Sequence, residues 1–344
     1  MTWATFPIEC FSAHADRWDA LQRANVGIPF LESVFLQPLL AEFGTGAELL
    51  AMESDGSTLR AACILGKTRN GFWQTFLPSQ LPLGPWISRP GANLPALAHS
   101  LIRALPGFAI GVGITQVDPI LQIRPADQPE LSTMDYSETA WVDVDEPFDA
   151  YWEKRGKNLK SNTRKQRSKL EAEGTVPTVD CVRDPSQVAA AMDDYGALES
   201  SGWKGKDGTA VNPANAQGRF YRQMLENFCA QGRGRIYRYR FDDKVVAMDL
   251  CIEHNDRIVI LKTAYDESYK SVSPSTLMRQ DQFQQLFADG TLRRIEFYGK
   301  IMEWHTRWTD NSRTLYHATV YRWPVLKFMH QQIRKSRQKQ AKPQ

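Results

Sequence analysis

The chain has 344 residues, of which 42% are hydrophobic and 24% are charged, and its formal net charge is +3. This composition is typical of a soluble globular protein long enough for two domains. No apolar run approaches the roughly 20 residues of a membrane-spanning helix, and the N-terminus lacks the basic segment and apolar run of a secretory signal. A cytoplasmic protein is expected, with peripheral membrane attachment as an open alternative, and the small net charge does not by itself indicate a nucleic-acid partner.

The chain contains five cysteines, an odd number, and they are widely separated in the sequence. No Cys-x-x-Cys pair or Cys/His cluster occurs among them. Reduced cysteines packed in the core are therefore expected. Neither a disulfide framework nor a metal site is predicted.

The first part of the chain alternates helical and strand-like segments. In chain order they are helices at 12–25 and 30–44, strands at 47–54, 58–67 and 71–77, a helix at 93–105 and a strand at 108–117. An Asp-Gly pair between the first two strands is a strong hairpin signal. The sequence predicts one α/β domain over residues 1–145.

The second part repeats this order more clearly. It predicts a long basic helix over 146–174, then a helix with Ser186 as its N-cap. A three-strand meander follows, then a helical crossover and two further strands. We expect a second α/β domain over residues 146–328, then a basic, disordered tail over 329–344. The repeated order suggests duplication of one α/β unit.

The stretch from Arg257 to Gly299 runs strand, polar loop, helix and strand, the order of a parallel crossover. Its loop is rich in small hydroxyl residues and ends at a helix N-terminus, where free backbone N–H groups and the helix dipole attract a phosphate. The alternative is that Ser275 or Thr276 merely caps the helix. The predicted phosphate-binding residues are Lys270, Ser271, Ser273, Ser275 and Thr276.

Three side chains are candidates for proton transfer. Glu199 follows Val188, Met192 and Tyr195 at helical spacing, so it lies on an apolar stripe where desolvation makes a carboxylate a better base. The alternative is a helix-terminal Glu that turns outward. Asp249 is a strand carboxylate that lines a cleft or pairs with Lys262 across the sheet. His305 is suited to proton transfer near neutrality, although a lone His is more often structural.

Four segments carry a resemblance to a known family. They are the basic helix end NTRKQRSKLEAEG, then LESSGWKGKDGTA, LKTAYDESYKSVSPSTLM and EFYGKIMEWHTRW, in that order. The chain resembles the Fem-type, tandem-GNAT group, which includes bacterial acetyltransferases associated with cellulose and exopolysaccharide synthesis. It departs from the pattern at Ser273-Pro274-Ser275, where the family often has Ser-Pro-Gly, and in keeping Gly299 alone of a glycine pair.

This resemblance implies two tandem GNAT-like domains, each a mixed, mostly antiparallel sheet flanked by helices. The first domain would support the second, which would be the acyltransferase domain. The implied reaction is attack of an amine on an acyl-CoA thioester, with acetyl-CoA as the expected co-substrate and no metal. The acceptor would be a small molecule or a saccharide, such as a cell-envelope precursor.

Further residues are predicted to contact the acceptor. Asp266 lies where open α/β sheets usually bind ligands, and Lys262 is the second polar residue beside the cleft. Arg307 is suited to clamp an anionic group, and aromatic residues of the matching segments are suited to stack on sugars. The predicted substrate-binding residues are Trp203, Lys204, Lys262, Asp266, Tyr298 and Arg307.

Basic residues crowd between Lys154 and Lys169 and again at the C-terminus. A solvated helix face is the ordinary reason for such a cluster. A polyanionic acceptor, an anionic membrane or RNA could also be its partner. Two other functions remain open: an aminoacyl-tRNA-dependent transferase of the peptidoglycan-crosslinking type, which is the one case that needs nucleic acid, and a non-catalytic subunit of a polysaccharide synthase.

Overall fold

The computed structural model describes residues 2–68, 71–201 and 211–340. The chain divides into two compact units. Unit 1 comprises Met1–Gln37, Phe43–Glu138 and Arg313–Gln344, and unit 2 comprises Pro38–Glu42 and Thr139–Ser312. The last strand, which the sequence pattern placed in the second domain, thus lies almost wholly in unit 1.

The strands, in chain order, are β1 (Thr2–Pro7), β2 (Leu49–Asp55), β3 (Thr58–Lys67), β4 (Phe72–Thr75), β5 (Trp86–Ser88), β6 (Gly111–Val117), β7 (Leu131–Asp143), β8 (Pro177–Val182), β9 (Gly234–Phe241), β10 (Lys244–His254), β11 (Arg257–Tyr265), β12 (Arg294–Glu296) and β13 (Ser312–Tyr321). The helices are α1 (Ala15–Arg23), α2 (Ser33–Phe43), α3 (Leu94–Ala104), α4 (Phe148–Glu153), α5 (Lys157–Ala172), α6 (Val188–Ser201), α7 (Ala216–Ala230), α8 (Pro274–Ala288), α9 (Glu303–Thr306) and α10 (Pro324–Gln340).

Unit 1 is built on a mixed sheet in which neighbouring strands run in the order β1, β2, β3, β4, β6, β13. β4 and β6 are parallel, and the other pairs in this run are antiparallel. The side chain of Asn93 caps α3 by accepting from the Ala96 N–H. This helix buries Leu94, Leu97 and Leu101 in an apolar cluster of the unit.

Unit 2 has a second mixed sheet, in which the end of β7 is followed by β12, β11, β10, β9 and β8. β11 and β12 are parallel, and the other pairs are antiparallel. Asp242 and Asn255 adopt positive φ in the tight turns between β9, β10 and β11, as polar turn residues tolerate. The predicted meander and crossover are confirmed, and so is the mixed α/β fold class.

Successive residues of β11 point to opposite faces of this sheet, because side chains alternate along a strand. Lys262 reaches Glu199 of α6, whereas Thr263 bonds to Arg279 of α8. Helices α6 and α8 therefore cover opposite faces of the same strand. A register shift between Leu250 and Cys251 in β10 marks a bulge at this level of the sheet.

The helices before the meander differ from the prediction. The long helix expected over 146–174 is two helices, α4 and α5, because Gly156 adopts an extended ψ of 142° between them. The predicted N-cap, Ser186, is also wrong: the Asp184 carboxylate accepts from the Ser186 N–H at 2.9 Å, and α6 begins two residues later. Sequence periodicity does not show either break.

The C-terminal segment also differs from expectation. Helix α10 occupies most of the stretch for which the sequence predicts a disordered tail. Within the part of the chain that the structure describes, no helix has the length and apolar character needed to cross a membrane.

Candidate functional site

The two parallel strands of unit 2 pair over only three residues. β11 and β12 pair over Arg257–Val259 and Arg294–Glu296 only, while β11 continues beside β10 as far as Tyr265. Beyond Val259, the edge of β11 that faces β12 has no strand partner among the described residues. Its backbone groups are therefore open to an extended ligand, at the strand ends where open α/β sheets bind ligands.

Two residues with strained backbone stand at these ends. Ser273 has φ 47° and Tyr298 has φ 46°. Positive φ is unfavourable for residues other than glycine and concentrates at functional sites. Ser273 is the N-cap residue directly before α8, and Tyr298, a predicted acceptor contact, lies buried two residues after β12. The two residues with strained backbone therefore follow the ends of the strands that border the open edge of β11.

The predicted phosphate-binding residues lie at the start of α8. Ser273 is the N-cap and no side chain caps the helix, so the alternative in which Ser275 or Thr276 is the cap is wrong. Pro274 has no N–H, and the Thr276 and Leu277 N–H groups bond to the Ser273 carbonyl at 2.9 and 3.3 Å. The Ser275 N–H is left as the open backbone donor at this helix end.

The side chains of this loop are also available to bind a ligand. Lys270 and Ser271 are exposed, whereas Ser273, Ser275 and Thr276 are half-buried. Among the described residues, none of the four hydroxyl groups makes a hydrogen bond and Lys270 has no carboxylate partner. The N-terminus of α8 thus combines the dipole, one free N–H, four hydroxyl groups and one ammonium, which fits a phosphorylated ligand.

Glu199 is buried on α6, as its helical spacing predicted, with 4% of its surface exposed. Its carboxylate accepts from the Tyr195 hydroxyl at 3.2 Å and from the Val211 N–H at 2.8 Å. The Lys262 ammonium lies 3.5 Å away and 5.1 Å from the centre of the Tyr221 ring. Burial, with Glu199 adding to it, raises the pKa of both tyrosines, so their hydroxyls stay protonated donors.

Asp249 and Lys262 do not pair across the sheet as one interpretation allowed. Asp249 is fully buried and accepts from Nη2 of Arg279 at 2.8 Å and from the Thr263 hydroxyl at 2.5 Å. The register explains the difference: Asp249 lies opposite Thr263, and Lys262 lies opposite Leu250 on the other face. A slip of one residue changes the face of every side chain.

Arg279 is a buried site residue that the sequence analysis missed. Only 2% of its surface is exposed, and its Nε and Nη1 atoms have no hydrogen-bond partner among the described residues. Its guanidinium stands 4.8 Å from the centre of the Trp304 ring. The one sequence signal was its position beside Leu277 and Met278, both buried on α8.

His305 lies on α9, where a loop was predicted. Its Nδ1 accepts from the Met302 N–H at 2.9 Å, and its ring stacks on Trp304 at 3.5 Å. Burial, reinforced by the positive charge of Arg279, lowers the pKa of His305 to about 4. The ring is therefore neutral near pH 7 and carries its proton on Nε2.

The remaining predicted contacts are dispersed. Asp266 caps the turn after β11 by accepting from the Ser268 N–H and pairs with Lys244 at 2.8 Å. These hydrogen bonds and the Lys244 charge lower the pKa of Asp266 despite its partial burial. Arg307 is exposed and pairs with Glu303. Trp203 and Lys204 lie outside the described residues.

The basic helix α5 packs beside α8. Leu159 joins the cluster of Phe283, and Leu170 joins the cluster of Leu277. Arg167 ties the two helices through Asp281 at 2.5 Å. On the outer side, three exposed residues have no carboxylate partner among the described residues. These are Lys157, Arg164 and Lys165.

Residues 157–306 match the family described as the acetyltransferase (GNAT) domain. The protein is an acyltransferase. The matched stretch runs from α5 through the crossover to α9, and so contains the open strand edge, the start of α8 and the Glu199, Asp249 and His305 clusters. No curated protein sequence matches the chain.

Solved structures with a similar fold span nearly the whole chain. FemX has 8% sequence identity and a TM-score of 0.58, covering 95% of this chain and 99% of its own. The C-terminal domain of a protein described as a lysylphosphatidylglycerol synthetase from Agrobacterium fabrum has 15% identity and a TM-score of 0.56, covering 90% and 92%. L-PGS from Bacillus licheniformis has 12% identity and a TM-score of 0.51, covering 89% and 91%. At these identities the likeness concerns the fold, and the predicted GNAT-like fold class is confirmed.

Proposed function

We propose that the protein is an N-acyltransferase that moves an acyl group, with acetyl as the expected group, from acyl-CoA to an amine. The observation that carries the proposal is the open edge of β11 leading to the unpaired start of α8. An extended, amide-containing arm ending in a diphosphate is the chemistry that such an edge and helix terminus would hold together. Lys270, Ser271, Ser273, Ser275 and Thr276 are the proposed diphosphate contacts.

The reaction needs a bound acyl donor, an uncharged amine, and stabilisation of the negative charge that develops on the carbonyl oxygen. The thioester supplies an activated acyl carbon. The amine nitrogen bonds to that carbon, the carbon–sulfur bond breaks, and CoA leaves as a thiolate, which then takes up a proton. Glu199 is the proposed acceptor of the amine proton, and Lys262 beside it offers positive charge to the developing oxyanion.

The other predicted catalytic residues take supporting roles in this proposal. The Asp249 carboxylate is engaged by Arg279 and Thr263, so it holds α8 against β10 and β11. His305, neutral and weakly basic, positions Trp304 beside Arg279. Trp203, Lys204, Lys262, Asp266, Tyr298 and Arg307 remain the proposed acceptor contacts.

The proposed acceptor is an amine of a saccharide or other cell-envelope precursor. Its support is the family resemblance together with the likeness in fold to FemX and to the lysylphosphatidylglycerol synthetase domain. A link to cellulose or exopolysaccharide synthesis, with a polysaccharide synthase as partner, belongs to the same proposal, as does a cytoplasmic location.

A second candidate is an aminoacyl-tRNA-dependent transferase. The exposed Lys157, Arg164 and Lys165 side of α5 favours it, since such a surface suits a nucleic-acid backbone. It predicts strongly salt-dependent binding of aminoacyl-tRNA. The acyl-CoA proposal predicts that acyl-CoA binds without tRNA.

The proposal is tested by titrating the full chain calorimetrically with acetyl-CoA and with S-acetylpantetheine, which lacks the diphosphate. We expect acetyl-CoA to bind at least about tenfold more tightly. Ser275→Asp should remove most of that advantage, because a carboxylate at a helix N-terminus suits the helix but repels a diphosphate. Ser275→Asn is the matched neutral control.

Two results would count against the proposal: equal affinity for the two donors, or unchanged acetyl-CoA affinity in Ser275→Asp. In a transfer assay, Glu199→Gln should keep donor affinity and lose roughly a hundredfold or more in kcat. Full turnover by that variant would remove Glu199 from the mechanism.

A further inference from the structure

Exposed apolar side chains concentrate at one place on unit 1. Of the eleven large hydrophobic residues exposed among the described residues, five lie at the loop after α3 and at the start of α10. They are Phe108 (64% exposed), Trp323 (44%), Val325 (57%), Phe328 (61%) and Met329 (53%). We call these five residues the apolar patch.

The apolar patch consists of a pair of aromatic rings and one face of α10. The rings of Phe108 and Trp323 are 5.6 Å apart. Val325, Phe328 and Met329 are spaced by three and one along α10, so they share one face of the helix. Scattered exposed apolar residues are ordinary, but a group gathered at the start of one helix is typical of an interaction surface.

The opposite face of α10 holds the helix on unit 1. The Lys327 ammonium donates to the carbonyl oxygens of Gln128 and Leu131, each at 2.7 Å. His330 shares a hydrogen bond of 2.7 Å with the Tyr321 hydroxyl. These contacts fix the direction of the helix, so its apolar face is turned away from unit 1.

The charge around the apolar patch has one sign. The Arg322 guanidinium stands 4.5 Å from the centre of the Phe108 ring and 5.6 Å from that of Trp323. From Tyr321 to the C-terminus the sequence has no Asp or Glu and seven Lys or Arg residues. The Asp127 carboxylate pairs with Lys327 at 3.5 Å, on the face of α10 opposite the apolar patch.

We propose that the apolar patch docks the protein on an anionic lipid bilayer. Aromatic and aliphatic side chains on one helix face, surrounded by cations without acids, suit the boundary between headgroups and acyl chains of such a bilayer. A second copy of the chain fits less well, because two basic segments would face each other. The inference concerns unit 1 and is independent of the donor proposed for unit 2.

Co-sedimentation of the full chain with vesicles tests the proposal. Vesicles of phosphatidylcholine with about one-third phosphatidylglycerol should bind the protein at low salt, and pure phosphatidylcholine should bind it far less. The double variant Trp323→Ser/Phe328→Ser should lose at least about tenfold in partitioning, since each aromatic side chain contributes buried apolar area. Ile123→Ser, which alters a 79% exposed residue outside the apolar patch, should bind as the unchanged protein does.

Three results would overturn the proposal. These are no binding of the unchanged protein to anionic vesicles, equal binding to both vesicle types, or undiminished binding of the double variant. A dimer that the double variant dissociates would assign the apolar patch to self-association instead. Circular dichroism and retention of the native melting temperature establish that the double variant is folded.

Discussion

At the scale of single residues, His305 is a histidine whose proton affinity is set by its surroundings. Because burial and Arg279 lower its pKa to about 4 from 6.5, the folded protein disfavours the charged ring. In the unfolded chain the ring has its ordinary pKa of 6.5 and binds a proton more readily than in the folded protein. Lowering the pH therefore shifts the equilibrium toward unfolding. The stabilising contribution is complete above about pH 6.5 and is lost as the pH falls through 4.

We therefore predict that His305 makes the free energy of unfolding fall by up to about 1.4 kcal/mol for each pH unit between 6.5 and 4. His305→Asn keeps an acceptor for the Met302 N–H and removes this titration, so its stability should depend less steeply on pH. Urea unfolding of both proteins across this range measures the difference. His99→Asn, in unit 1, is the control. Parallel curves for His305→Asn and the unchanged protein would show that His305 does not cause the pH dependence.

The residues also show how far the sequence could predict the site. Glu199 was identified because helical spacing alone places it on an apolar stripe. Arg279 was missed because its burial depends on Asp249, thirty residues earlier in the chain. A contact over that distance leaves no signal in the local sequence pattern. Lys262 was identified as a polar site residue but given the wrong partner, since strand register at a bulge is not visible in the sequence.

At the scale of elements, the Asp249–Arg279 ion pair joins α8 to β10 and, through Thr263, to β11. Both charges are almost completely removed from water. Removal of one partner of such a pair leaves the other buried and uncompensated, which costs far more than loss of an exposed pair. The pair therefore fixes the helix whose N-terminus is the proposed donor site.

We predict that Asp249→Asn lowers the free energy of unfolding by about 3–5 kcal/mol. Asp180→Asn is the matched control: that carboxylate binds Arg238 and Arg240 but has 41% of its side chain exposed, so the loss should stay below about 1 kcal/mol. Urea unfolding measures both losses. If the two variants lost equal stability, the ion pair would not have the structural role assigned to it.

The elements themselves were partly predictable. The predictions of the meander and the crossover were correct. Alternating apolar and polar residues between turn residues identify strands, and a helix of that length joins parallel strands. The break between α4 and α5 was missed, although Gly156 was its signal, since the periodicity on either side is continuous. The α10 helix was predicted as a tail, because a basic composition without acids resembles a disordered segment.

At the scale of the whole molecule, the division into units cuts across the order of the sequence. Unit 1 takes its last strand and helix from the C-terminus, and β13 pairs with β6 although nearly 200 residues separate them. A pattern of alternating residues predicts that a strand exists but not which sheet receives it. The roles assigned to the two domains remain predictions.

In the mechanism that we propose, the open edge of β11 and the start of α8 hold the acyl donor. Hydrogen–deuterium exchange of the full chain with and without saturating acetyl-CoA shows where the donor binds. We expect acetyl-CoA to raise protection in residues 260–276, and we expect Ser275→Asp but not Ser275→Asn to abolish this rise. Protection elsewhere in the chain, with residues 260–276 unchanged by bound acetyl-CoA, would show that the edge of β11 and the start of α8 do not hold the donor.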